Sequence, residues 1–221
     1  MSDKPTSDSY WVVPGRFLAG SYPVAVRGDE AASRLRLDTL LEAGLDTFFD
    51  LTCEGELPSY FSSLSEEADR YNISVDYRRL SIQDKSLPSR ERMMILLDAI
   101  DAALSSGRKV YLHCWGGIGR TGAAVGCWLV RHGLTGEAAL ARLNELYQTT
   151  EQSSLFPRSP ETDAQVEFIL NWVESSPPSV SPRFRRKRGE SQRGVNWYAR
   201  FLQQATWTRD LRSYLFERAG L

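Results

Sequence analysis

Cysteine is scarce in this chain: Cys53, Cys114 and Cys127 are the only three in 221 residues. They are too few and too scattered for a disulfide framework, and no pair has metal-ligand spacing, so neither a disulfide-stapled module nor a cysteine metal site is expected. Long hydrophobic runs are also lacking. The longest, Ala123 to Val130 interrupted by Gly126, is far too short to span a bilayer, and Met1 to Tyr10 is polar without the apolar stretch of a secretion signal. Together these features lead us to expect a soluble cytoplasmic protein with no membrane span. No internal repeat is visible, and no charge of one sign dominates. The formal net charge of −1 gives no global bias toward nucleic acid or membranes.

The charge is nevertheless unevenly spread. Residues 178–221 hold 10 Lys and Arg against 3 Asp and Glu, which leaves 17 against 25 in residues 1–177. The acidic body and basic tail therefore read as separate parts. A hydrophobic content of 42% with 11% aromatics supplies enough apolar material for a real core and excludes disorder throughout.

Along the body, strand and helix signals alternate. Trp11 to Gly20 reads as two extended pieces around Pro14-Gly15, forming a sheet edge, and Ala31 to Ala43 reads as a helix stopped by Gly44. A buried strand over Thr47 to Leu51, a helix over Ser62 to Tyr71 and a strand over Ser74 to Leu80 follow, then a polar loop from Ser81 to Pro88. Ser89 resembles an N-cap for a helix whose apolar stripe includes Met93, Leu96, Leu97, Ile100 and Leu104. Lys109 to His113 is a strand that runs into a glycine-rich turn and a helix from about Arg120 to His132. Further helices are expected over Thr135 to Gln148 and Thr162 to Ser175. This alternation implies an α/β domain with a central, mostly parallel sheet flanked by helices over residues 1–176. A basic linker rich in Pro, Ser and Arg occupies 177–195, and 196–221 reads as a C-terminal helical extension.

The informative stretch is His113-Cys114-Trp115-Gly116-Gly117-Ile118-Gly119-Arg120-Thr121-Gly122. Three glycines between Cys114 and Arg120 let the backbone curl with its N–H groups inward, a nest for a tetrahedral oxyanion. The helix that follows aims its positive end at the same point. Residues Trp115, Gly116, Gly117, Ile118 and Gly119 thus form the expected phosphate cradle. Its amides, the helix terminus and the Arg120 guanidinium all favour a thiolate at Cys114 over the thiol. Arg120 can hold two phosphoryl oxygens bidentately in a way that lysine cannot. Thr121 is placed to hydrogen-bond the sulfur as it leaves, and His113 reads as a residue that orients the loop.

This Cys-x5-Arg-Thr arrangement resembles the cysteine-based protein tyrosine phosphatase superfamily, and the spacing of Gly117 and Arg120 fits its dual-specificity branch. The resemblance covers roughly residues 10–175 and extends to Trp11 through Pro23 and Asp50-Leu51-Thr52-Cys53-Glu54, which look like segments of bacterial dual-specificity-type enzymes. It implies a phosphoprotein phosphatase working through a phosphocysteine, with Cys114 as nucleophile, Arg120 as phosphate clamp and Asp84, on the loop 30 residues earlier, as general acid and base. Asp50, Glu54 and Asp76 are weaker candidates for that acid. Glu161 to Phe168 is similar to the glutamine loop of the tyrosine-specific branch, but Glu161 stands where that branch has its first glutamine. The water-positioning role of that glutamine is therefore not implied for Glu161, and Gln165 reads either as a contributor to it or as a helix-start residue. Cys53 reads either as a resolving cysteine for Cys114 or as a plain buried one. No cofactor or metal is implied, and the partner is a phosphoprotein. With no lysine in the loop and an apolar rim of Trp115 and Ile118, phosphotyrosine is expected, with tolerance of phosphoserine or phosphothreonine. The alternative is a pseudophosphatase that binds phosphoproteins without turnover. The basic tail is compatible with nucleic acid, acidic lipid, the acidic body or a solvated linker.

Overall fold

The computed structural model describes residues 4–24 and 29–174. The linker at 177–195 and the helical tail at 196–221 lie outside the described residues. Five strands form one sheet: β1 (Ser9–Val13), β2 (Phe17–Gly20), β3 (Thr47–Asp50), β4 (Asp76–Arg79) and β5 (Val110–His113). Their spatial order is β1-β2-β5-β3-β4, with β1 antiparallel to β2 and every other pair parallel. The expected edge hairpin is present, and Gly15 takes the positive φ of 66° that its turn requires.

Strand β5 lies at the centre, between β2 and β3, and all four residues of each of these strands are buried. That explains why they read as unbroken apolar runs rather than alternating ones. Leu18, Tyr111 and Phe48 sit side by side across the three strands and join one core with Leu37, Leu40 and Leu41 of α1 (Glu30–Glu42) and Leu64 and Ala68 of α2 (Phe61–Arg70). Phe17, one residue out of phase, turns the other way and packs edge-on against Trp128 of α4 (Gly119–Arg131), with ring centroids 5.3 Å apart. Helix α4 also packs against α3 (Arg90–Ser105), α5 (Gly136–Tyr147) and α6 (Asp163–Leu170).

Two elements are shorter than the sequence reading. The helix expected over Thr162 to Ser175 ends at Leu170, where the Asn171 side-chain amide donates to the Glu167 carbonyl at 2.9 Å and competes with continuation of the helix. The strand expected from Ser74 is paired only over Asp76–Arg79. Leu35 of α1 points to solvent, unlike Leu37, Leu40 and Leu41 of the same helix. The other helix limits agree to within about two residues, the usual fraying of helix ends. The expected N-cap Ser89 is present as a side-chain bond at α3, and Thr135 and Thr162, the first residues of the expected helices, cap α5 and α6 in the same way.

Candidate active site

Sheet order alone decides where the site lies. The central strand β5 delivers Cys114 at its carboxyl end, in the crevice where open α/β sheets bind ligands. Three hydrogen bonds fix the loop that follows: Leu51 N–H to His113 O at 2.8 Å, Tyr22 N–H to Trp115 O at 2.8 Å and Ser159 Oγ–H to Ile118 O at 2.8 Å. Among the described residues no protein acceptor takes the N–H groups of Trp115, Gly116, Gly117 or Ile118, so they remain available to an anion.

A cleft of about 360 Å³ opens above this loop, lined by Cys114, Trp115, Gly116, Ile118, Gly119 and Arg120. Its remaining walls are Asp84, Lys85, Gln152, Phe156 and Glu161. Gly117, expected in the cradle, has φ of 71°, and a Cβ there would lie 2.5 Å from the Gly20 backbone, so it also makes the turn against β2.

Arg120 is almost wholly buried, and its donors can be counted. Nη1 donates to Glu56 Oε2 at 2.8 Å and to the Ile82 carbonyl at 3.0 Å, while Nη2 donates to Glu56 Oε1 at 2.6 Å and lies 3.0 Å from Asp84 Oδ1. Three of the five guanidinium N–H groups donate in these bonds, and the edge formed by Nε and the outer side of Nη2 faces Asp84 as an ion pair only. When an anion displaces Asp84, the Nε and Nη2 edge becomes a ready fork. Burial by itself would lower the Arg120 pKa, but the Glu56 hydrogen bonds and the charges of Cys114, Glu56 and Asp84 outweigh it and raise the value. Glu56 shows the reverse balance. Burial raises its pKa, but Arg120 and the Cys53 N–H, which donates at 2.9 Å, hold it below the usual carboxylate range.

Beneath the loop, His113 is fully buried, which holds its pKa below the ordinary 6.5. Its Nδ1 lies 3.1 Å from the Cys114 carbonyl, which can only accept, so Nδ1 carries the proton. In the neutral ring Nε2 then accepts from Tyr60 Oη–H at 2.6 Å. The expected loop-orienting role of His113 agrees with this bond to Cys114 O. Asp50 anchors the adjoining strands, accepting from Thr52, from Tyr77 Oη–H at 2.7 Å and from Arg79. Burial raises the Asp50 pKa, yet the His113 ring and the bonds from Thr52 and Tyr77 prevail and lower it. Asp76 pairs with Arg78 on the surface, and neither Asp76 nor Asp50 lines the cleft.

The loop carrying Asp84 is tied to the start of α6. Gln165 Oε1 accepts from Thr162 N–H at 3.1 Å, completing a capping box, and its Nε2 donates to Ser86 O at 3.3 Å. Gln165 is thus a helix-start residue that also steadies this loop. Lys85 Nζ lies 3.7 Å from Glu161 Oε1.

Two expectations are corrected. The Thr121 hydroxyl is buried with no hydrogen-bond partner and does not meet the Cys114 sulfur in this structure. Cys53 is partly exposed rather than buried, and it is a free thiol. Sequence reasoning missed Glu56, Tyr60, Gln152 and Phe156. Glu56 is 64 residues from Arg120, and no local pattern marks the pairing. The cluster at residues 183–188, on which the partner of the basic tail depends, lies outside the described residues. Within them, no group of three or more His, Cys, Asp or Glu is arranged to hold a metal, and no helix is long and apolar enough to cross a membrane.

A mostly parallel sheet whose central strand ends in a cysteine, followed by an anion-ready loop and a buried arginine six residues on, defines the cysteine-based phosphatase class of fold. Residues 6–169 match the PTP-SAK family, described as "Swiss Army Knife protein, DSP-PTPase phosphatase domain". That is most of the chain, and the protein belongs to this family. It is similar to the crystal structure of Tk-PTP in the active form, with a TM-score of 0.57 and 24% identity over 74% of this chain and 93% of that one. At that identity the likeness shows the fold. It is 26% identical over 132 residues to tyrosine-protein phosphatase cdc-14 of Caenorhabditis elegans, covering 58% of this chain but 17% of that protein. An uncharacterized protein of Methanocaldococcus jannaschii is 28% identical over 108 residues, covering 49% of this chain and 67% of that one.

Proposed function

We propose that the protein is a phosphoprotein phosphatase, directed chiefly at phosphotyrosine with tolerance of phosphoserine and phosphothreonine, that works through a phosphocysteine. The observation that carries this reading is the convergence of Cys114, Arg120 and Asp84 on one cleft, with Asp84 Oδ1 3.0 Å from the guanidinium. The substrate phosphoryl group takes the place of Asp84 on the Nε and Nη2 edge of Arg120, and the loop amides hold its oxygens. The Cys114 thiolate attacks phosphorus. The S–P bond forms as the ester P–O bond breaks, and Asp84 in its acid form protonates the departing oxygen. Water then attacks phosphorus, Asp84 takes its proton, the S–P bond breaks, and inorganic phosphate leaves with the thiolate restored.

Substrate charge can be argued from the same cleft. Lys85 enters it from the Asp84 loop, but Glu161 faces it, as Glu56 and Asp84 face Arg120. Among the described residues lining the cleft no surplus cation remains for a second phosphate, which weighs against polyphosphorylated substrates. Half-exposed Trp115 and the neighbouring Ile118 suit an aryl group instead. The presence of nucleophile, clamp and acid together weighs against a pseudophosphatase. Hydrolysis of phenyl phosphate by the wild type, Cys114→Ser and Asp84→Asn across the neutral pH range tests the reading. Turnover abolished by the first change and lowered about 10²- to 10⁴-fold by the second supports it. An inactive wild type that still binds phosphotyrosine would replace it with the binding-only alternative.

A further inference from the structure

The wall of the cleft contributed by the short 3-10 turn Glu151–Ser154 and the residues after it has no part in the chemistry just described. Phe156 lines the cleft and is 52% exposed, much as Trp115 is at 53%. Exposure of a loop aromatic is ordinary where the loop is free to settle, but the Phe156 backbone is fixed on both sides. Its N–H donates to Gln152 O at 2.9 Å, and its carbonyl accepts from Tyr147 Oη–H, from the last residue of α5, at 2.9 Å. Next to it, Gln148 Nε2 donates to Pro157 O at 2.7 Å. The protein therefore spends three hydrogen bonds holding a wet aromatic ring at the mouth of the cleft. Gln152 lines the same wall, and its side-chain amide has no hydrogen-bond partner among the described residues.

We infer that Gln152 and Phe156 form the recognition wall for an aryl phosphate on a peptide: the phosphotyrosyl ring lies between Trp115 and Phe156, and the Gln152 amide hydrogen-bonds the substrate main chain. The inference rests on the cleft's being the phosphoryl site proposed above. A ring reaching from the loop amides to the mouth fills the space between the two side chains and removes both from water. Phosphoserine carries its phosphate one methylene from the main chain, brings no ring, and leaves them wet. The wall accordingly supplies a preference for tyrosine that the phosphate cradle, which sees only oxygens, cannot supply.

Binding of matched phosphotyrosine and phosphoserine peptides to Cys114→Ser, alone and combined with Phe156→Ala, tests the inference by calorimetry, with inorganic phosphate as a control. Phe156→Ala is expected to weaken the phosphotyrosine peptide about tenfold, to leave the phosphoserine peptide and inorganic phosphate within about twofold, and to be rescued by Phe156→Tyr. Gln152→Ala is expected to weaken the phosphotyrosine peptide but not phenyl phosphate, which has no main chain. An unchanged phosphotyrosine affinity, or an equal loss for phosphoserine, would overturn the wall. Wild-type turnover of phenyl phosphate separates the two readings. Turnover with no effect of Phe156→Ala on binding sinks the wall alone, whereas discrimination without turnover sinks the phosphatase reading and keeps the wall.

Discussion

At the scale of the residue, the account turns on how few donors Arg120 has to spare. Glu56 fixes the plane of the guanidinium from one side and Ile82 O takes a further N–H, so the fork proposed to meet phosphate is set before an anion arrives. A lysine could satisfy one carboxylate oxygen but has no planar edge to present. Arg120→Lys is expected to lower kcat/KM for an aryl phosphate by about 10²- to 10³-fold, mostly in kcat, because the second donor acts on charge that develops in the transition state. Steady-state kinetics checks this. The local motif around Cys114 was legible because it packs nucleophile, cradle and clamp into seven consecutive residues. Glu56 was not, because a pairing across 64 residues depends on β3 and β5 lying side by side.

At the scale of the element, the phosphate loop is a strand-to-helix turn pressed against its neighbours. Gly117 is the position where any side chain must collide, since its positive φ and its approach to the Gly20 backbone both exclude a Cβ. Gly117→Ala is expected to destabilise the fold by about 1–3 kcal/mol and to depress activity further than Gly116→Ala, whose Cβ would find only ordinary contacts with Ile118. Denaturant titration and turnover of the two variants make the comparison. Gln165 joins two elements rather than touching the chemistry. Gln165→Ala removes one half of the α6 capping box and the tie to Ser86, with an expected loss of about 1 kcal/mol and a drop in kcat as the Asp84 loop loosens. The Ser89 cap could be read directly from the sequence, because a cap is a local exchange of hydrogen bonds. The early end of α6 could not, since apolar residues continue past Leu170 while the Asn171 amide closes the helix.

At the scale of the whole molecule, buried ionisable groups set how stability depends on pH. His113 is neutral and buried with its pKa lowered from 6.5, so below pH 6.5 the unfolded chain binds a proton that the folded chain refuses. Stability therefore falls as pH drops from 6.5 toward the lowered folded value. Asp50, with its pKa lowered from 3.8 by the His113 ring, Thr52 and Tyr77 against the opposing effect of burial, contributes a second loss. Asp101 behaves alike. Burial again opposes, but bonds from His132 and Trp128 and the charge of Arg131 lower its pKa from 3.8. Both carboxylates lose their stabilising effect as pH falls below 3.8 through their folded values. Urea midpoints measured on acidification are thus expected to fall in two stages, and His113→Asn should flatten the first and shrink the Asp50 part of the second while leaving the Asp101 part. The α/β architecture was readable from alternating patterns, because parallel strands buried on both faces have few ways to be arranged. The two walls of the cleft were not, since Gln152, Phe156 and Glu161 meet Asp84 and Lys85 only after the sheet has closed.

The central claim is that a phosphoryl group passes through the sulfur of Cys114. Rapid denaturing quench of the wild type during turnover of an aryl phosphate, followed by mass spectrometry of the peptide containing Cys114, tests it most directly. The account predicts one phosphoryl group on Cys114, formed within the first turnover and missing in Cys114→Ser. Release of phosphate at full rate with Cys114 unmodified throughout, or retained turnover in Cys114→Ser, would contradict it.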